Sequence, residues 1–157
     1  MSLEVNQVLA GAGGAQAPFM GKHVHKLDPK KRLTIPSGWR ELMGGDGVYL
    51  MPGLDGRQCL MLMPQPVMTD VLSRLQNMKF SNAEHMDLTL EVAMESDHLR
   101  FDAQGRIRVK DDHLALAELS GEVVLAGAIN RVELWNPELL KSRTSAGITN
   151  AAKALDM

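Results

Sequence analysis

The chain has 157 residues, room for one domain or two small ones. Hydrophobic residues make up 45%, enough for a core, but aromatics only 4% against eleven methionines, so that core is aliphatic and thioether-rich. A net charge of −2 excludes a uniformly basic nucleic-acid coat, and the single cysteine, Cys59, excludes an intrachain disulfide and a cysteine-only metal site.

Residues 1–18 are rich in Ala and Gly and carry no periodicity. They read as a flexible arm, without the charged start and compact apolar stretch of a signal peptide. No apolar run approaches the length of a membrane span, so the expected location is cytoplasmic, with no membrane partner. The first strand is expected over Phe19–Leu27. A basic turn follows from Asp28 to Arg32, with Pro29 where a fixed φ does no harm. Arg32–Ile35 alternates, placing Leu33 and Ile35 on a buried face. Pro36 suits a helix start, and Gly44 and Gly45 end that helix after about Met43.

Two strands, Gly47–Met51 and Gln58–Met63, flank turn-forming residues and predict a hairpin. Cys59 lies in QCLMLM and reads as a small buried hydrophobe. After Pro64 and Pro66, the apolar positions Val67, Val71, Leu72, Leu75 and Met78 follow helical spacing. Ser81 and Glu84 have the spacing of a capping box for a second helix. That helix carries Glu84, Asp87, Glu91 and Glu95 on one side and Met86, Leu90 and Ala93 on the other. The acidic stripe is either a solvated face or a surface complementary to basic turns of a neighbouring subunit.

The opening pattern then returns. Strands are expected at Leu99–Phe101 and Arg106–Val109, around a turn from Asp102 to Arg106. A short helix to Glu118 follows, capped by Asp111 or Asp112. The strands Glu122–Ala126 and Arg131–Trp135 form a second hairpin. Asn136 and Pro137 open a last short helix, and the tail beyond Arg143 is expected to fray. Asp102 lies seventy-four residues after Asp28 (102 − 28), and the same interval joins Arg32 to Arg106 and Arg57 to Arg131. One unit of about 45 residues is too small to bury a core alone. Two joined copies can pair with pseudo-twofold symmetry and share one.

Between Lys22 and Arg40, six Lys and Arg side chains face one acid, Asp28, a local balance of +5. In each D-x-x-x-R turn the aspartate can accept backbone N–H bonds and hold the arginine. One reading is a loop-stiffening ion pair, worth about 0–1 kcal/mol at a surface. The other is nucleic-acid contact, favoured at the first turn because Lys26, Lys30, Lys31 and Arg32 crowd together and need an anionic partner. Lys and Arg bind phosphates, and a held arginine reads guanine bidentately. The second turn, with Asp102, Arg106 and Arg108, is less basic. His23, His25, His98 and His113 lack companions for a metal site, so metal and cofactor are both expected to be none. No nucleophile, base and orienter set and no phosphate-cradling loop is legible, so no enzyme is expected. Trp39 and Trp135 are expected to pack at the ends of the units.

At HKLDPKKRLTIPSGWR, FDAQGRIRV and VVLAGAINRVELWNPELL, with GLDGRQCLMLMP in the first hairpin, the sequence resembles the MraZ family of bacterial transcriptional regulators, in the AbrB-like superfamily. The likeness runs from about Phe19 to Leu140. It implies a mixed β/α fold: two AbrB-like swapped-hairpin units, 19–66 and 97–140, pairing into one pseudo-twofold β-barrel, with linking helices over 67–96 and a tail over 141–157. It also implies rings of about eight or more subunits. Such rings would bind short direct repeats in double-stranded DNA upstream of the cell-division and cell-wall gene cluster, at the nucleoid. The D-x-x-x-R loops would make the contact. The family's glycine before the motif arginine is kept as Gly105 but replaced by Lys31 in the first copy. The Ile-Pro after the motif is kept as Ile35 and Pro36 but becomes Val109 and Lys110 in the second. A protein-interaction or antitoxin-like module, docking an acidic partner on the same basic turn, is the alternative.

Overall fold

Short alternating strands punctuated by Pro and Gly fold as the spacing predicts. The computed structural model describes residues 18–54, 56–78, 81–143 and 155. The expected arm and tail fall almost wholly outside these residues, although 141–143 are helical. In chain order the elements are β1 (Lys22–Lys26), β2 (Arg32–Thr34), α1 (Ser37–Leu42), β3 (Gly47–Pro52) and β4 (Leu60–Met63). Then come α2 (Gln65–Gln76) and α3 (Ala83–Glu95), followed by β5 (Asp97–Arg100), β6 (Arg106–Arg108), α4 (Asp111–Leu116), β7 (Glu122–Gly127) and β8 (Val132–Trp135). Residues 137–143 are helical again, with Asn136 Oδ1 accepting from the N–H groups of Glu138 and Leu139. Pro36 precedes α1, and Gly44 and Gly45 end it at φ of 100° and 89°, a region that suits glycine.

The strands flanking each D-x-x-x-R turn do not pair with each other. β1 pairs antiparallel with β7 of the second half, and β5 with β3 of the first. β2 pairs with β6 as a separate two-stranded ribbon, Leu33 facing Ile107. The six-stranded sheet runs β1-β7-β8-β4-β3-β5. Exchanging every strand for its counterpart in the other half reverses that order onto itself, so the repeat is also a symmetry of the sheet. Among the described residues the hydrogen-bond ladders do not close into the expected barrel. β1 and β5 remain edges, and ribbon strands of only three residues pair with each other alone.

Alternation gives the sheet two apolar faces. Leu50, Leu60, Leu62, Leu125, Val132 and Leu134 face the ribbon's Leu33 and Ile107 and the helices α1 and α4. Met51, Met61, Met63, Val124 and Trp135 face α2 and Val92 of α3. Met51, Met61, Met63 and Met68 therefore fill the layer under α2 and α3, while Met43 lies in the other. Leu33 and Ile107 are fully buried, each contributing about 1.5–3 kcal/mol relative to exposure. Their neighbours Arg32, Thr34, Arg106 and Arg108 are thereby turned outward.

Several helix details differ from the sequence reading. On α2, Met68 is buried where Leu72 was expected, and Leu72 stands 41% exposed. The cap of α3 is Asn82, whose Oδ1 accepts from the N–H groups of Glu84 and His85; Ser81 lies one residue outside. Met86 and Leu90, on the side of the helix away from the acidic stripe, are 50% and 56% exposed. Val92 and Leu88 pack inward instead, because α3 lies on the sheet through a narrow contact. At α4 the N-cap is Lys110, without a side-chain bond, and Asp111 and Asp112 occupy the first turn. There they act on the helix dipole and not as caps. Trp39 is buried against Phe19 and His23, its ring centroid 6.1 Å and 4.9 Å from theirs.

Candidate nucleic-acid interface

The two D-x-x-x-R turns share one geometry. Asp28 Oδ1 accepts from the backbone N–H of Lys30 at 2.9 Å and of Arg32 at 2.8 Å, and its Oδ2 accepts from Arg32 Nε at 2.6 Å. Asp102 Oδ1 accepts from the N–H of Gln104 and of Arg106, both at 2.9 Å, and its Oδ2 from Arg106 Nε at 2.8 Å. Each aspartate thus closes its own turn and fixes the arginine by the inner nitrogen of its fork. The outer nitrogens of Arg32 have no partner among the described residues, so they remain available as paired donors.

The turns lie side by side. Arg106 Nη1 stands 3.8 Å from Asp28 Oδ2, so the second arginine also leans on the first carboxylate. Two backbone bonds tie the loops reciprocally, Ile35 N–H to the Gly105 carbonyl and Val109 N–H to the Lys31 carbonyl, each at 3.0 Å. Around them Lys26, Lys30, Lys31 and Arg108 are all exposed. Lys26 ends β1 opposite Glu122, away from the ribbon strands, while Arg108 faces Arg32 across the ribbon. The structure therefore brings seven of the eight residues singled out from the sequence to one ribbon and its turns, with Lys26 at the margin.

The electrostatics favour anchored, ionised aspartates. Partial burial pushes the Asp28 carboxyl up, but the Arg32 N–H, its guanidinium and the Lys30 N–H outweigh that and hold it below its usual 3.8. At Asp102 the Arg106 N–H is the leading cause, with the Arg106 side chain and the Gln104 N–H adding to it against some burial, and the carboxyl again lies below 3.8. With folded values depressed, the anchoring is whole above the unfolded value and is lost only as pH falls through the lower folded one. The turns therefore keep one charge state at neutral pH.

Gly105 and Lys31 occupy the same place in their turns, at φ of 76° and 63°. A Cβ on Gly105 would strike the guanidinium of Arg40, which lies over that turn and donates from Nε to the Ile35 carbonyl at 3.1 Å. Lys31 adopts the left-handed conformation with a full side chain, at a cost of about 1 kcal/mol. Lys31→Gly should accordingly raise stability by up to that amount in chemical denaturation, with an unchanged denaturant slope.

A second polar cluster was only half legible. Glu133 is 4% exposed in β8 and takes Arg57 Nη2 at 2.5 Å, Arg131 Nη2 at 2.7 Å and Trp135 Nε1 at 2.9 Å. The interval between Arg57 and Arg131 was visible, but the carboxylate that unites them was not. Its signal is a lone charge inside an apolar strand, RVELW. Burial raises the Glu133 carboxyl, yet Arg131, Arg57 and Trp135 together pull it below its usual 4.5. Cys59 beside them is pushed up to about 12, first by burial and then by Glu133, so it stays a thiol.

Among curated proteins, the transcriptional regulator MraZ of Pediococcus pentosaceus is 39% identical over 121 residues, covering 75% of this chain and 80% of its own length. Its namesake in Saccharopolyspora erythraea is 34% identical over 120 residues, covering 76% and 82%. That of Thermomicrobium roseum is 33% identical over 120 residues, with the same coverage of 76% and 82%. No protein-family model matches the chain. Relatives at this identity, with four-fifths of their length covered, leave one conclusion: the chain belongs to the MraZ family of transcriptional regulators.

Proposed function

We propose that the chain regulates transcription by binding double-stranded DNA through its two D-x-x-x-R turns. The observation that supports this best is their juxtaposition: two arginines, each aimed by its own aspartate, on adjacent loops bound to each other by reciprocal backbone bonds. Asp28, Arg32, Asp102 and Arg106 form the reading elements. Lys26, Lys30, Lys31 and Arg108 meet phosphates. The sites are short direct repeats upstream of the cell-division and cell-wall gene cluster, and the chain acts in the cytoplasm at the nucleoid, without a cofactor or catalytic step.

The exchange of β1 and β5 between the halves supports reading residues 19–66 and 97–140 as AbrB-like swapped-hairpin units joined by 67–96. Rings of about eight or more subunits would set many loops against successive repeats and multiply weak contacts. The open apolar row of Met86, Leu90 and Met94 on α3 favours self-association of this kind.

A footprint of the full chain on its own upstream region tests the reading. Protection repeating at a fixed interval, weakening steeply with salt, is expected; uniform or absent protection contradicts it. The second reading, in which the basic turns dock an acidic partner such as the Glu84–Glu95 side of α3, draws on the exposure of Glu84, Asp87 and Glu91; Glu95 is half-buried. Light scattering at low and high salt separates the two, since assemblies that persist in high salt are not held by charge docking.

A further inference from the structure

The β2–β6 ribbon has two ends that the repeat makes equivalent in backbone but not in charge. At one end Lys30, Lys31, Arg108 and Lys110 line an open concavity of about 290 Å³. At the other end, the residues displaced by the seventy-four-residue interval are Gln104, Gly105, Thr34 and Pro36, none of them charged. That second end carries one cation, Arg40, whose guanidinium lies against Gly105 and is held by the Ile35 carbonyl, against four Lys and Arg side chains at the first. The acids near the first end include Asp28, in the same turn and held by Arg32, Asp111, on the wall of the concavity, and Asp97, which pairs with Lys110 Nζ at 3.3 Å. Lys30, Lys31 and Arg108 have no ion-pair partner among the described residues. Lys31 keeps its cation there in a left-handed backbone that its counterpart Gly105 adopts freely.

We propose that the Lys30, Lys31, Arg108 and Lys110 concavity is a one-sided seat for a phosphodiester strand, which fixes the direction in which the chain lies on duplex DNA. This rests on the DNA-binding reading above. The two D-x-x-x-R turns are related by the pseudo-twofold, so alone they present nearly the same donors in both directions along a duplex. An open seat of four cations at one end, against the single held Arg40 at the other, removes that degeneracy. A chain of fixed polarity suits repeats that all run the same way.

Two duplexes test this, one carrying a single repeat from the footprinted upstream region and one of random sequence. Binding of the full chain is followed across a salt series. An iron chelate on a cysteine introduced by Ala103→Cys, on the exposed second turn, reports direction through its cleavage of the repeat; Cys59 is too buried to compete. The otherwise unsubstituted chain should cut on one side of the repeat. The triple variant Lys30→Gln, Lys31→Gly, Arg108→Thr, which gives three of the four positions the residues of the other end and leaves Lys110 paired with Asp97, should cut both sides nearly equally. Its log–log salt slope should be shallower by about 2.7, or about 0.9 per lost cation. Lys30→Gln with Arg108→Thr, which leaves the turn backbone alone, should lose about 1.8. Repeat binding with one-sided cutting by the triple variant overturns the seat whatever the salt slope, and leaves the DNA-binding reading standing. If the unsubstituted chain binds neither duplex, both fall together.

Discussion

Alanine at Arg32 should weaken binding to an upstream duplex by about 1–3 kcal/mol, or about 5- to 150-fold, if that guanidinium reads a base. The same loss is expected at Arg106. The double substitution should bring the upstream duplex down to the level of random-sequence DNA, because both reading elements are gone while the lysines still meet phosphates. Neither side chain supports the core: each is about a quarter exposed, and the buried residue between β2 and β6 at this point is Leu33 or Ile107. Thermal stability should therefore change little, and anisotropy titrations report recognition without a folding artefact. Lys30→Gln differs in kind. It should lower affinity for both duplexes alike and flatten the salt slope by about 0.9, the mark of a phosphate contact. A ring amplifies these differences, since each subunit adds loops to the same duplex.

Glu133→Ala should be among the most damaging polar substitutions in the fold. It strips the shared carboxylate from Arg57 and Arg131 and leaves Trp135 Nε1 without its acceptor inside the sheet. Removing one partner of a buried ion pair costs about 3–5 kcal/mol, and the partial exposure of the two arginines places the expectation near about 3. In a chain of this size that lowers Tm by about 6–12 °C. Glu133→Gln keeps an acceptor and should lose less. The pH dependence follows from the sign of the shift. The carboxyl is held below 4.5 in the fold, so its contribution is complete above that value and disappears as acid takes the folded state through its lower one. Calorimetry should show the alanine variant's deficit shrinking in that acid range.

The two halves differ at this cluster in a way that explains why Glu133 was hard to see in the chain. Its counterpart seventy-four residues earlier is Cys59, an apolar neighbour in QCLMLM. Repetition pointed to the arginines and was silent on the carboxylate, because only one half carries it. The repeat did expose the D-x-x-x-R turns, since an aspartate accepting from its own loop needs no distant residue. Local chemistry of that kind was legible, as were the Pro-started α1 and the two hairpins.

Long-range pairing was not. Nothing in Lys22–Lys26 states that its partner is Glu122–Gly127 and not the strand across its own turn. That choice is made by burial. Leu33 and Ile107 must meet under the ribbon, which draws β2 toward β6 and leaves β1 for the opposite hairpin. The orientation of α3 on the sheet was not legible, for a similar reason. Its apolar residues occupy more than one side, and helical spacing cannot tell which side the sheet will take; the sheet took Val92 and Leu88 and left Met86, Leu90 and Met94 open.

Photocrosslinking addresses the contact surface itself. An upstream duplex carrying 5-iodouracil through one repeat would be irradiated in complex with the full chain and the crosslinked peptides identified by mass spectrometry. Crosslinks should fall on the turns from Asp28 to Arg32 and from Asp102 to Arg106. Crosslinks confined to α3 or to β1, with both turns unmarked, would contradict the assignment of DNA to this ribbon.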